Sequence, residues 1–407
     1  MTLGEKIKAQ RKALGLTLKQ LAGEDFSYSM LSQIENNKAN PSMDMLQQLA
    51  KKLGCPIHQL LTDTISVPLH QLLNQCESFV QHGYERDSQL DYQLIELVDP
   101  YINAFTFTQY EEARITELYC KSYFSIHKIV LGNLLEQCER YYMSVQHIHH
   151  FVQVQLFKAQ ILLQQAKYDE ADIQLHDALE NIQAGNHTLL AEDELEFHYL
   201  QAVIKSALGQ YELAQSLLNT CFTLANAHSY YKKHARLLQQ SIFIAIQLHN
   251  ENEAMTQLAQ FKRYVAFTEN YFEDGLYHYA KFVVHNQFSK TSIQQEMVQF
   301  FTQQAKQPYT LSPIFKYEQA YNAWLQNDYE TTIALLQNFE IPVYMTHPLD
   351  QARLLEIKAV YYAALNQAGN RKEAVKGIIE VSQRFETLPP SSFKEAVQHI
   401  YNEILHI

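Results

Sequence analysis

The sequence predicts an all-α protein in two parts: a compact module of short helices over the first sixty residues, then a long array of helix pairs. Three observations carry this. Proline is absent between Pro100 and Pro308. Proline lacks the amide hydrogen and clashes inside a helix, so so long a stretch without it fits helices and argues against loop-rich β folds. Apolar residues recur at i, i+3, i+4 and i+7 from residue 70 nearly to Ile407. Small residues recur at positions 171, 214, 254, 292, 332 and 374, between 38 and 43 apart, which signals an internal repeat.

Composition narrows the function. The 407 residues are 47% hydrophobic and 19% charged, a foldable and soluble balance. Neither GxxxxGK[ST] nor GxGxxG occurs, which argues against a P-loop or an ordinary dinucleotide site. Five cysteines, at 55, 76, 120, 138 and 221, form no CxxC pair, so a disulfide scaffold or zinc ribbon is not expected. No apolar segment follows the N-terminus, and the longest apolar-looking stretch, Ser241 to Leu248, is too short to cross a bilayer. A cytoplasmic protein without cofactor is expected. Charge is uneven. Residues 1–61 hold eight Lys or Arg against five Asp or Glu, whereas the remainder carries −15. A basic module on an acidic body suggests that the module meets an anionic polymer.

Each element of the module follows from local chemistry. Leu3, Ile7 and Leu14 give a first helix one apolar face, and Gly15 ends it. Thr17 is placed as N-cap of a second helix, Leu18 to Ala22. Residues 23–26 turn the chain. Ser27 or Tyr28 opens a third helix that points Leu31 and Ile34 inward and Tyr28, Ser29, Ser32 and Gln33 outward. Asn36 to Pro41 is a polar loop. Ser42 caps a fourth helix with the stripe Leu46, Leu49, Ala50, Leu53, and Pro56 introduces a last short one with Ile57, Leu60 and Leu61.

With Arg11, Leu16-Thr17, Leu21-Ala22, Ser32-x-Ile34-Glu35 and Asn37-Lys38, this run resembles the lambda-repressor-like, or XRE-type, helix-turn-helix. Asn37 stands where that family usually has Gly, a mild departure because Asn tolerates the left-handed conformation. The resemblance implies a recognition helix from Tyr28 to Asn36 in the major groove of double-stranded DNA. Tyr28, Ser29, Ser32 and Gln33 become candidates for base contact, Gln33 first because its amide can pair with adenine through two bonds. Thr17, Lys19, Asn36, Lys38 and Asn40 become candidates for phosphate contact, which gives affinity without sequence information. Arg11 and Glu35 resemble that family's internal ion pair.

Thr62 to Pro68 reads as a linker, giving a module over 1–62, a linker over 63–69 and an array over 70–407. In the array, Lys167-Tyr168-Asp169-Glu170-Ala171 before Leu175 and Ala178 is the clearest repeat copy. Gly209 to Ala214, Asn252-Glu253-Ala254, Asn327 to Thr332 and Asn370 to Ala374 supply others, with a weaker one at Ser292. These copies resemble the tetratricopeptide repeat, with longer helices or turns than its period of about 34. Tyr168, Tyr211 and Tyr329 are expected to pack. Residues 70–150 are read as two degenerate pairs. The resemblance implies a right-handed superhelix with a concave, peptide-binding inner face.

The combination looks like the RRNPP family of quorum-sensing regulators, with the NprR type nearest. That implies a transcription regulator controlled by a short imported peptide, and a homodimer is expected because one module reads only a half-site. Counting along the first helix of each repeat places Tyr199, Arg236, Gln239, Asp274, Tyr277, Lys281, Tyr317, Tyr321 and Trp324 on the inner face. Amide and guanidinium groups pair with a peptide backbone, and Lys281 or Arg236 suits a terminal carboxylate. Two other functions stay open. One is a Rap-like effector that binds a response regulator and promotes its dephosphorylation. The other is a repressor indifferent to peptide. His147, His149 and His150 lack the third ligand a metal needs, and no nucleophile and base stand together.

Overall fold

The computed structural model describes residues 3–23, 25–39, 41–55, 69–80, 88–304, 313–342 and 345–406. Among these, secondary structure is helical throughout. The expected linker over 62–68, the last short helix after Pro56, and Asn40 lie outside the described residues. Packing divides the chain into two units, Met1–Val154 and Gln155–Ile407.

The first unit opens with α1 (Leu3–Ala13), α2 (Leu18–Ala22), α3 (Tyr28–Glu35) and α4 (Met43–Lys52). Their shared core is Ile7, Leu21, Ala22, Leu31, Ile34, Leu46, Leu49, Ala50, Leu53 and Cys55. Leu14 departs from the expected stripe: it lies past the end of α1 and is half exposed. Three caps set the helix starts. Thr17 and Gln20 form a reciprocal capping box, Ser27 Oγ accepts from the Met30 amide at 3.1 Å, and Ser42 Oγ accepts from Met45 at 3.3 Å. Next come α5 (Leu69–Val80), α6 (Ser88–Val98), α7 (Tyr110–His127) and α8 (Gly132–Ser144). Helix α7 packs on α5, α6 and α8, and Leu72, Cys76, Leu94, Val98, Ile115 and Leu118 close the core between α5, α6 and α7.

Helix α9 (Ile148–Gln164) spans the division between the units. After it the helices run in pairs: α10 (Tyr168–Ala184) follows α9, then α11 (Ala191–Ala207) with α12 (Tyr211–His228), α13 (His234–Gln247) with α14 (Glu251–Thr268) and α15 (Tyr271–Val284) with α16 (Gln294–Gln304). Helices α17 (Ile314–Leu325) and α18 (Tyr329–Leu336), then α19 (Pro348–Gln367) and α20 (Arg371–Phe385), complete the series, and α21 (Ser392–Leu405) ends it.

The repeat has a physical basis at two places. Ala171, Ala214, Ala254, Thr332 and Ala374 on the second helices are wholly buried, where a larger side chain would hold the paired helices apart. The turn between partners is also reused. Ala166, Gly209, His249, Asn327 and Gly369 all take positive φ. In each turn two amides bond back to carbonyls of the preceding helix, as in His249 to Ile246 at 3.1 Å and Asn250 to Ala245 at 2.9 Å. Ser292 breaks the series: it is exposed in the connection before α16, and Ile293, Met297 and Phe300 do the packing there. A π turn, His285–Ser289, precedes that connection.

Within the second unit the last pairs return to the middle ones. The Tyr168 hydroxyl donates to the Thr346 carbonyl at 2.9 Å and the Tyr211 hydroxyl to Pro390 at 2.6 Å. The amide of Ser392 donates to Gln247 Oε1 at 3.0 Å, and Leu349 shares a core with Leu195, Leu237 and Ile244. Helix α19 is consequently buried on nearly every side. Tyr168 and Tyr211 are thus the packing residues the sequence suggests.

Candidate nucleic-acid interface and groove residues

Two ties hold α3 against α1. Arg11 Nε donates to Glu35 Oε1 at 2.6 Å and Nη2 to Oε2 at 2.7 Å, a two-bond pair buried inside the module. The carboxylate raises the Arg11 pKa further above its usual value. The remaining guanidinium nitrogen, Nη1, donates to the Leu16 carbonyl at 2.8 Å and so fixes the turn into α2. At the other end of α1, just past the C-terminus of α3, Asn37 takes φ +57°, and its Oδ1 accepts from the Gly4 amide at 3.2 Å. Gly4 has no room for a side chain: a Cβ there would lie 2.1 Å from the Ile34 carbonyl oxygen.

With its buried side so held, α3 leaves Tyr28, Ser29 and Gln33 exposed and Ser32 half-buried. Thr17, Lys19, Asn36 and Lys38 are exposed as well. Two of these are already engaged. Thr17 is held in its capping box, and Asn36 Nδ2 donates to the Ser32 carbonyl at 2.8 Å. The chemistry on offer is therefore amide and hydroxyl groups flanked by Lys19 and Lys38. Replacing Gln33 with alanine is expected to reduce discrimination between a preferred and a scrambled duplex by about 1–3 kcal/mol. Lys38→Ala should weaken both equally and lower the salt dependence by about one counterion. Fluorescence anisotropy over a salt series separates the two, and equal loss on both duplexes for Gln33→Ala would misplace the reading face.

The nine groove candidates divide. Tyr277, Tyr317 and Tyr321 are core residues, which corrects their placement on the inner face. Tyr277 packs against Phe261, Tyr317 donates to the Glu340 carbonyl at 3.0 Å, and Tyr321 donates to Glu356 Oε1 at 2.7 Å. Periodicity places all three on inward-turning positions, and α19 covers Tyr321 from the far side. Trp324 is half-buried beside Tyr321, with ring centres 5.6 Å apart. Lys281 is paired with Glu296, and Asp274 lies 3.7 Å from His278 Nε2. Burial lowers the His278 pKa, and its ring stacks on Phe300.

Tyr199 and Arg236 come together. The Lys233 ammonium lies 5.0 Å from the centre of the Tyr199 ring and pairs with Glu196. The Arg236 guanidinium sits 5.1 Å from the Phe272 ring centre and is exposed. No carboxylate among the described residues lies within 4 Å of it. Gln239 is half-buried on the same helix. The sequence reading missed Asp350 and His347. Burial raises the Asp350 carboxyl, while His347 and Arg236 counter it. His347 caps α19 through Nδ1 and reaches the Val203 carbonyl through Nε2 at 3.2 Å. No local signal marks either residue, because only the return of α19 brings them there.

Among the described residues no three His, Cys, Asp or Glu side chains are arranged to hold a metal ion. His150 instead accepts or donates at 2.9 Å with the Tyr110 hydroxyl and stacks on Tyr142. No described helix is long and apolar enough to cross a membrane.

Residues 7–60 match the family model described as Helix-turn-helix. The HTH-type transcriptional regulator DdrOP3 of Deinococcus deserti is 40% identical over 62 residues, 15% of this chain. The chain spans about half, 48%, of that curated relative. Three solved structures are similar over more of the chain. PlcR of Bacillus thuringiensis, in complex with the peptide PapR7 and DNA, is 18% identical, covering 68% of this chain and 98% of its own, with TM-score 0.39. The apo competence regulator ComR of Streptococcus vestibularis is 15% identical, covering 69% and 95%, with TM-score 0.35. The pheromone receptor Rgg2 of Streptococcus dysgalactiae is 13% identical, covering 68% and 98%, with TM-score 0.32.

Proposed function

We propose that this chain is a DNA-binding transcription regulator of the RRNPP kind, in which residues 1–62 read an operator and residues 70–407 sense a short linear peptide. One observation carries the reading. The helix-turn-helix presents an exposed face of Tyr28, Ser29 and Gln33 on a helix held by a buried ion pair, and the same chain continues into a series of paired helices. Paired-helix arrays of this sort serve as binding surfaces for extended segments. In this reading the peptide meets Tyr199, Arg236 and Gln239, with Asp274, Lys281 and Trp324 further along. Arg236 is the better partner for a terminal carboxylate, since Lys281 is already paired with Glu296. The active form is a homodimer in the cytoplasm, because two modules on one duplex give the specificity that one lacks.

The test begins by selecting a preferred duplex from a randomised pool with the full chain. Its affinity is then measured with and without synthetic C-terminal fragments of small secreted reading frames beside the gene. A cognate fragment is expected to change the affinity by about 5- to 150-fold, the span of ordinary coupling energies. A chain that selects a duplex and ignores every fragment would be a peptide-independent repressor. A chain that selects none would not be a regulator of this kind.

A further inference from the structure

Lys52 is one of eight basic residues in a module that meets DNA, and by charge alone it belongs with the phosphate contacts. The structure puts it elsewhere. Its ammonium lies across the turn between α2 and α3, at the hinge of the DNA-reading motif. It donates to the Ala22 carbonyl at 3.0 Å and lies 3.4 Å from the Leu21 carbonyl, the two that end α2. It pairs with Asp25 Oδ2 at 2.6 Å and sits 5.0 Å from the centre of the Phe26 ring. The side chain is about one-quarter exposed. A Cβ on Gly23, which takes φ +55°, would come within 2.9 Å of the same ammonium. All of these contacts fall on Leu21, Ala22, Gly23, Asp25 and Phe26, which end α2 and lead to the N-cap of α3.

We propose that Lys52 is a positioning residue for DNA recognition: a clamp, carried by α4, that sets the angle at which α3 leaves the turn. The logic is one of unmet groups. The last carbonyls of a helix lack partners within it and carry the negative end of the helix dipole; of the two here, Ala22 also accepts from the Phe26 amide of the turn. A five-residue helix such as α2 has little intrinsic stability of its own. A single ammonium answers the end of α2, the acid of the turn and the aromatic ring that enters α3. It arrives from α4, which belongs to the module's core through Leu46, Leu49, Ala50 and Leu53. The clamp thereby ties the orientation of Tyr28, Ser29 and Gln33 to the rest of the module. With its donors committed to the turn, Lys52 has none to give a phosphate.

The clamp has a signature that a phosphate contact lacks. For the full chain carrying Lys52→Met, which keeps the stem and removes the charge, affinity for the duplex selected by the wild type is expected to fall about tenfold, as for the loss of charged hydrogen bonds. Discrimination against a scrambled duplex should fall with it, while the salt dependence stays unchanged. Amide exchange at Gly23 and Phe26, whose amides bond to Lys19 and Ala22, should accelerate by about the same factor. Lys52→Arg, which keeps the charge, should restore most of that protection. Asp25→Asn leaves the carbonyl bonds in place and should cost about two- to threefold, so it carries the test if Lys52→Met does not fold.

A salt slope lowered by about one with discrimination intact would make Lys52 a phosphate contact and overturn the proposal. Unchanged affinity and unchanged exchange would overturn it too. This inference rests on the module's reading of DNA. Should the wild type select no duplex, that reading fails, and amide exchange still decides whether Lys52 holds the turn.

Discussion

Replacing Arg353 with methionine is expected to destabilise the second unit by about 3–5 kcal/mol, the usual cost of leaving buried carboxylates without their counter-charge. The guanidinium is wholly enclosed. Nε donates to Glu318 Oε1 at 2.8 Å, Nη2 to Glu318 Oε2 at 2.5 Å and Nη1 to Glu356 Oε2 at 2.5 Å. Around these carboxylates stand Asn286, Gln287 and Tyr321 as further donors. The centre of the guanidinium lies 4.2 Å from the Tyr321 ring centre. The network joins the π turn after α15 to α17 and α19, so its loss loosens three elements at once. Burial raises the Glu356 carboxyl, and Arg353 opposes that rise. Without the arginine the network keeps two buried acids and no cation.

The measurement uses a reporter already in place. Trp324 is the only tryptophan in the chain and lies against Tyr321. Urea unfolding followed by its emission should show the midpoint moving sharply down for Arg353→Met. The triple variant Arg353→Met, Glu318→Gln, Glu356→Gln should recover a large part of the loss, because neutral partners remove the stranded charge. A shift of the single variant below about 1 kcal/mol would mean that the network is an exposed-type pair and does not hold the unit together.

The module was legible where chemistry is local. Thr17, Ser27 and Ser42 each stand one residue before a helix whose apolar residues recur at helical spacing, and each is a cap in the structure. The Arg11–Glu35 pair came from resemblance, since no spacing rule predicts a bond between residues 24 apart. In the array, buried small residues were readable because a helix contact tolerates little else. The reused turn was not, because positive φ falls on Ala166, His249 and Asn327 as well as on Gly209 and Gly369. Glycine marks only part of that pattern. Ser292 misled by its size alone: the π turn shifts the register, and the chain reaches α16 through an exposed connection. The groove residues suffered most. A helical wheel gives the direction of Tyr277, Tyr317 and Tyr321 but not what stands opposite: Phe261 for the first, the Glu340 carbonyl for the second and Glu356 of α19 for the third. The return of α19 also brings Asp350 within electrostatic reach of Arg236 and sets His347 against the Val203 carbonyl, which no local pattern could signal.

Arg11→Met should abolish sequence-specific DNA binding, with a loss of about 100-fold or more. A domain of some fifty residues buries little surface, and its stability is correspondingly small. Removing Arg11 strands the Glu35 carboxylate inside it, at about 3–5 kcal/mol, enough to unfold much of the module at equilibrium. It also frees the Leu16 carbonyl, which Arg11 holds at the entry to α2. The double variant Arg11→Met, Glu35→Leu separates these effects. An apolar pair of similar volume should restore protection of the amides in α1 and α3, since no charge remains buried. It should not fully restore DNA affinity, because the Leu16 carbonyl stays without its donor and the turn into α2 is less fixed. Amide exchange over residues 3–55 and anisotropy with the selected duplex measure the two halves. If the single variant bound with wild-type affinity, the buried pair would be incidental to how α3 is held. If the double variant recovered affinity completely, the bond to Leu16 would contribute nothing and the tie between α1 and α3 would suffice.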